Sequence, residues 1–254
     1  MIITFSGTGN SMLVAKELQR HIGGRILPLE GDLLLSPSSQ VLEVPEGEVV
    51  VWVFPIYSWG LPPVVADFIR RSKIKGAHGT GHFMVCTCGD DIGFADNQWR
   101  KLIGRRGWNP RGAFSVQMPN TYVLMKGFDV DAPEIAAAKT DAMPRRVGAV
   151  AEAIRRGFAD SDVVRGASAW LKTAVVYPFF KRFCMSPAPF RHNDKCTACG
   201  LCAVSCPLGN ISMSDGNPVW GRKCALCLRC YHICPSHAVA YGKETEGKGQ
   251  KKVM

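Results

Sequence analysis

Eight of the eleven cysteines fall between Cys196 and Cys234, in two runs of identical spacing. Cys196, Cys199, Cys202 and Cys206 precede Pro207, and Cys224, Cys227, Cys230 and Cys234 precede Pro235. Each run reads C-x2-C-x2-C-x3-C-P. Three thiolates at this spacing wrap a loop around one iron–sulfur cluster, and the fourth ligates the neighbouring cluster. The spacing therefore assigns one [4Fe–4S] cluster to Cys196, Cys199, Cys202 and Cys234, and a second to Cys224, Cys227, Cys230 and Cys206. Zinc sites instead use cysteine pairs separated by a longer gap. Clusters held wholly by cysteine relay single electrons and offer no open iron to a substrate.

This stretch, residues 191–242, resembles bacterial-type two-cluster ferredoxins. The resemblance implies a small α+β domain of two pseudo-symmetric halves, each completing the other's cluster. His232 lies inside the second run as a structural residue that can tune a cluster's potential.

A ferredoxin accounts for about a quarter of the 254 residues. The chain opens on IITF, an apolar strand, followed by SGTGNS and then by Met12, Leu13, Ala15, Leu18 and Ile22 at helical spacing. Gly7 and Gly9 permit a tight turn, and the amides of a helix start favour a phosphate. Ser6, Thr8, Asn10 and Ser11 add neutral donors. A Walker A loop would need a lysine here. A dinucleotide fingerprint would place glycine where Met12 stands. Hydroxyls and an amide without a charge suit a terminal phosphomonoester.

Further apolar strands are read at residues 25–29, 49–55, 82–87 and 113–118, separated by helices at 63–71, 94–106 and 133–158, the last with a kink at Pro144. Five strands alternating with helices predict a doubly wound parallel sheet, whose ligands bind beyond the carboxyl ends of its strands. Those ends carry SGTGNS, then Pro55-Ile56-Tyr57-Ser58-Trp59-Gly60, then Thr87-Cys88-Gly89-Asp90. Residues 1–158 thus resemble the flavodoxin-like family. The resemblance implies FMN, with its phosphate on Ser6 to Ser11. The ring would lie between the second and third of these loops, with Tyr57 and Trp59 placed to stack on it. Both halves together resemble flavodoxin–ferredoxin fusion proteins, a functionally mixed group.

The fusion joins one-electron centres to a flavin that handles one or two electrons. This predicts an iron–sulfur oxidoreductase whose flavin reduces a small molecule, with a non-enzymatic electron carrier as the alternative. The segment at 117–133 is longer than an ordinary strand-to-helix loop. It offers Asn120 and Tyr122 as candidate catalytic residues over the flavin, or else a docking surface for the ferredoxin domain. Cys86, Cys88 and Cys184 read as structural thiols.

The formal charge is +10, with arginine pairs scattered along helices and no nucleic-acid reader motif. Two clusters and a flavin phosphate would lower it to roughly +4. The implied partners are an electron donor such as a reduced ferredoxin and, for the enzyme, an anionic small molecule. Residues 159–190 form an apolar linker, interrupted by Lys172 and Pro178 and too short to span a bilayer. Residues 243–254 are charged and glycine-containing, and read as a disordered tail. MIITFSGTG is not a secretory signal. A cytoplasmic, oxygen-poor setting is expected, with the apolar run packed as a linker helix and a membrane-surface contact as the alternative.

Overall fold

The computed structural model describes residues 1–252. Its strands are β1 (Ile2–Thr4), β2 (Ile26–Pro28), β3 (Val41–Glu43), β4 (Val50–Pro55), β5 (Lys73–Lys75), β6 (Gly81–Cys88), β7 (Asn109–Gln117), β8 (Ser161–Asp162), β9 (Phe190–His192), β10 (Ile211–Ser214), β11 (Asn217–Trp220) and β12 (Val239–Tyr241). Its helices are α1 (Asn10–Ile22), α2 (Asp32–Leu35), α3 (Pro63–Arg71), α4 (Ala95–Arg105), α5 (Pro133–Arg155), α6 (Ala169–Leu171), α7 (Tyr177–Phe179), α8 (Leu201–Val204) and α9 (Arg229–Ile233).

The main sheet is parallel, in the order β2-β1-β4-β6-β7-β8. Because successive side chains alternate between faces, β4 sends Trp52 and Phe54 into one core with Phe68, Trp99 and Ile103 of α3 and α4. It sends Val51 and Val53 into the other, with Val14, Leu18, Val147 and Ile154 of α1 and α5. This is the doubly wound α/β sheet that the sequence predicts. The two-residue β8 adds a sixth strand, and β3 and β5 form a separate parallel pair. Helix α5 runs through Pro144 as one element.

The cysteine-rich part is built on two antiparallel ladders, β10–β11 and β9–β12. Its apolar core includes Val123 and Leu124 from the loop after β7. Leu208 and Ala225 in turn enter the sheet's core. The two parts therefore share buried surface.

Between them, α6 and α7 alternate with π-helical turns, Lys172–Val176 and Phe180–Cys184, into one helical segment over residues 169–184. Ala169, Thr173, Tyr177 and Phe180 are its buried side.

The expected disordered tail is corrected as far as the description reaches; Val253 and Met254 lie outside it. Lys248 Nζ donates to the carbonyls of Val123 and Met125, at 2.8 and 2.6 Å. Gln250 reaches the Cys234 carbonyl at 3.2 Å, and the Lys251 amide donates to His232 Nδ1 at 3.1 Å. The polar composition that suggests disorder here serves hydrogen bonds to exposed carbonyls of both parts.

Candidate functional site

The eight clustered cysteines sort into two cavities. Cys206, Cys224, Cys227 and Cys230 line one. Cys196, Cys199, Cys202 and Cys234 line the other. Each cavity thus takes three cysteines from one run and one from the other. Among the described residues no group of three His, Cys, Asp or Glu side chains is set to hold a single metal ion.

The backbone repeats with the sequence. Ala198 and Leu226, twenty-eight positions apart, have φ of 55° and 49°; Gly200 and Leu228 have 72° and 62°; Gly209 and His237 have 56° and 52°. A non-glycine residue in this left-handed region costs about 1–2 kcal/mol, yet the second run places Leu226, Leu228 and His237 there. The curl points amides inward. The Asn210 amide meets Cys206 Sγ at 3.3 Å, and its counterpart Ala238 meets Cys234 Sγ at 3.2 Å. The Leu226 amide meets Cys224 Sγ at 3.3 Å.

Two observations test the fit to an iron–sulfur group. Burial pushes the Cys224 thiol up to about 12 and raises Cys227 and Cys230 as well. Anionic sulfur in these positions therefore calls for a cation to replace the proton. Trp220 Nε1 is buried without a nitrogen or oxygen acceptor, and its residue walls the same cavity as Cys230. Sulfur is the acceptor chemistry left to it. The residues fit.

At the sheet's carboxyl edge, Ser6 to Ser11 are all buried. Helix α1 starts after Gly9, with φ 96° and no side-chain cap. The Ser6 hydroxyl accepts from the Met12 amide at 3.3 Å, Asn10 Nδ2 donates to the Pro119 carbonyl at 2.8 Å, and Ser11 pairs with the Thr87 hydroxyl at 2.8 Å. Lys251 Nζ reaches Asn10 Oδ1 at 2.6 Å and the Thr8 carbonyl at 3.3 Å. A half-buried ammonium held by neutral oxygens at the positive end of a 13-residue helix fits an anionic group such as a phosphate. Sequence reasoning missed Lys251, since nothing local to GKGQKK points at residue 8.

Pro55 closes β4, and Ile56 donates its amide to the Thr87 carbonyl at 2.8 Å. Tyr57 and Gly60 exchange both backbone bonds around Ser58 and Trp59, at φ 44° and 62°. Such a turn ordinarily takes Asn-Gly. The linker enforces it. Thr173 Oγ1 donates to the Trp59 carbonyl at 3.0 Å and accepts from the Phe94 amide at 2.8 Å. Lys172 Nζ lies 5.0 Å from the Trp59 ring and 2.6 Å from Asp91 Oδ2. A Cβ on Gly60 would stand 2.4 Å from the Tyr177 ring. One partner of Trp59 is thus the linker. Tyr57 lies beside the second cysteine loop, whose Cys227 and Cys224 charges, after burial itself, raise its phenol.

Cys88 is buried, and burial pushes its thiol up to about 12. Gly89 faces Asn120, and Asp90 is exposed. Asn120 is engaged internally: its amide donates to Asp131 Oδ2 at 3.0 Å and its Nδ2 to the Asp129 carbonyl at 2.5 Å. The Tyr122 ring sits 5.6 Å from Phe128 and 6.3 Å from Phe180, and burial raises its phenol. The Thr121 carbonyl accepts from His232 at 2.8 Å. These contacts describe a docked loop.

The cysteine loop closes directly on the glycine turn. A Cβ on Gly7 would stand 2.4 Å from the Cys227 carbonyl oxygen. Arg229 donates to the Gly7 carbonyl at 2.9 Å, to Ser6 at 2.6 Å and to Ser205 at 3.0 Å. The Gly31 amide meets the Pro207 carbonyl at 2.8 Å. The cavity of Cys206, Cys224, Cys227 and Cys230 is therefore the one against the sheet edge. Cys199, on the other cavity, is exposed.

Comparison with known proteins agrees with the cysteine pattern. Residues 189–212 match the family model of the 4Fe-4S binding domain. The chain is 42% identical over 48 residues to an uncharacterised ferredoxin of Methanocaldococcus jannaschii. That is 19% of this chain and 30% of the relative, so well under half of the relative's length is spanned. A putative flavoprotein from Bacteroides uniformis is similar at 16% identity and a TM-score of 0.38, over 46% of this chain and 88% of its own. An azoreductase from Bacillus anthracis is similar at 11% identity and 0.39, over 59% and 97%. The Trp repressor binding protein of Bacillus subtilis is similar at 12% identity and 0.34, over 57% and 97%. The chain carries an iron–sulfur domain of the 4Fe-4S type.

Proposed function

We propose that this chain is an electron-transferring iron–sulfur flavoprotein of the oxidoreductase class. Cys196, Cys199, Cys202 and Cys234 would hold one [4Fe–4S] cluster, and Cys206, Cys224, Cys227 and Cys230 the other. Ser6 to Ser11 and Lys251 would hold the phosphate of FMN. The loops at Pro55 to Gly60 and Thr87 to Asp90 would flank its ring. FMN, when bound, supplies exchange of one or two electrons and hydride chemistry. The chain's own part is placement: Arg229 fixes the cysteine loop on the glycine turn, and residues 169–184 cover the Trp59 turn against water. The observation that carries this reading is the seam between Gly7 and Cys227, which sets a cluster-binding loop against a phosphate-type turn with no element between them.

The electron donor in this reading is a one-electron protein such as a reduced ferredoxin, and Cys199 marks the exposed side where its electrons enter. The second reading, a carrier that passes electrons on to an acceptor protein, draws support from the internal contacts of Asn120 and Tyr122, which engage these two candidates within the protein. The test is anaerobic purification with iron and FMN quantified, followed by stepwise reduction under visible spectroscopy. About eight irons and one FMN per chain support the assignment; iron without flavin refutes the sheet-edge half of it. Flavin bleaching in two separated one-electron steps supports the carrier. A single two-electron step supports the reductase, with an anionic small molecule as its acceptor.

A further inference from the structure

The helical segment over residues 169–184 buries one side against the sheet edge and leaves the other uncovered. Trp170, Phe179 and Phe183 are 65%, 59% and 63% exposed, and Leu171, Val175 and Val176 are exposed with them. Leu171, Val175, Phe179 and Phe183 recur every fourth residue, so they form one stripe along the helix. Single exposed apolar residues are ordinary, whereas a contiguous stripe with two phenylalanines and a tryptophan marks an interaction surface.

The charge around the stripe narrows the partner. From residue 163 to residue 193 there is no aspartate or glutamate, while Arg165, Lys172, Lys181, Arg182 and Arg191 all lie in this stretch. Lys172 and Arg165 are spent on Asp91 and Asp96. Lys181 and Arg182 are exposed and lie over the Tyr177 and Phe183 rings, 5.7 and 5.1 Å from the centroids. An apolar stripe with tryptophan and phenylalanine, edged by lysine and arginine on a helix that carries no acid of its own, is the composition of a helix lying in the plane of a membrane surface. No helix among the described residues is long and apolar enough to cross a membrane, so the surface mode is the relevant one.

We infer that residues 169–184 dock the protein onto an anionic lipid surface, with Trp170, Leu171, Val175, Phe179 and Phe183 entering the interface and Lys181 and Arg182 meeting lipid phosphates. The sequence favours a packed linker helix with membrane-surface contact as its alternative, and the exposure of the apolar side in the fold favours that alternative. The same helix clamps the Trp59 turn from its buried side, so docking sets the sheet edge close to the lipid. The inference does not depend on flavin or cluster content.

The test uses the full chain, purified with its cofactors, in co-sedimentation with phosphatidylglycerol–phosphatidylcholine vesicles and with phosphatidylcholine alone. Sedimentation with the anionic vesicles, weakening as salt is raised, is expected. Phe179→Ser with Phe183→Ser should lose at least tenfold in partitioning while keeping wild-type iron content and melting temperature, since both side chains are exposed. Lys181→Gln and Arg182→Gln should each weaken binding to anionic vesicles by about fivefold and leave phosphatidylcholine unaffected. No sedimentation with anionic vesicles, or undiminished sedimentation of the double phenylalanine variant, overturns the inference. It is also overturned if light scattering shows a dimer that the phenylalanine changes dissolve while vesicle binding is absent. The stripe would then belong to a second copy of the chain.

Discussion

Replacing Gly7 by alanine tests the seam between the two parts. The added Cβ would meet the Cys227 carbonyl oxygen at 2.4 Å, Cys227 Cβ at 2.8 Å and the Cys227 carbonyl carbon at 3.1 Å. Ordinary contact begins near 3.4 Å, so the cysteine loop and the glycine turn must part by about 1 Å. Two of the three opposing atoms are backbone, and no rotamer change relieves them. Overpacking of this kind costs about 1–3 kcal/mol. For a chain of this length each kcal/mol lowers Tm by roughly 2–4 °C, which predicts a fall of about 2–12 °C. Parting the seam also strains the Arg229 bonds to Ser6 and Gly7, so on the proposed function electron transfer from the cysteine-rich part to flavin should slow in the same variant. Gly104→Ala is the control. Nothing lies within 4 Å of its Cβ position in α4, and removing a helix glycine should stabilise by about 0.5–1 kcal/mol. Anaerobic calorimetry of the three proteins, with iron measured on each, reads the result. A Gly7→Ala protein melting with wild type would refute the direct packing of Cys227 on the turn.

Three further outcomes are expected. Lys251→Ala removes a charged donor from Asn10 and Thr8; at about 1.5–3 kcal/mol it should weaken FMN binding roughly ten- to a hundredfold, while riboflavin, which has no phosphate, binds as before in a fluorescence titration. His82 is buried and its imidazole held at about 4, below its ordinary 6.5, by burial. The neutral form is the folded one, so its contribution is full above pH 6.5 and is lost as pH falls towards 4, about 3 kcal/mol in all; His82→Gln should flatten denaturant stability across that window. Ala198→Gly relieves a left-handed residue at φ 55° and should stabilise by about 1 kcal/mol, read as a Tm rise of roughly 2–4 °C.

Patterns that act over a few residues were legible in the sequence. The cysteine spacing, the apolar run of β4 and the helical periodicity of α1 are all local, and the parallel α/β sheet follows from them. Among the shortest elements, β1 and β2 showed as apolar runs, whereas β3, β5 and β8 did not, because two or three residues with exposed or charged neighbours carry neither a run nor a period. The contacts that join the two parts were also hidden. Arg229 read as one more scattered basic residue, yet it spans 223 positions to reach Ser6. Lys251 read as tail, yet it spans 241 positions to Asn10. The SGTGNS turn looked uncharged because its cation arrives from the other end of the chain.

Those long-range contacts show why one chain carries both parts. The glycine turn is touched by residues from the cysteine loop and from the segment after β12, while the Trp59 turn is held by the linker. Ser58 and Trp59 adopt left-handed conformations that cost about 1–2 kcal/mol each, and they persist where surrounding structure over-determines them. Here Thr173, Lys172 and Tyr177 supply that constraint. A sheet domain severed before residue 169 would lose the clamp, Arg229 and Lys251 together. The loop geometry at the sheet edge is thus a property of the fused chain. That covalent arrangement keeps a cysteine-lined cavity at a fixed distance from the turn, which a complex of separate proteins would have to re-form at each encounter.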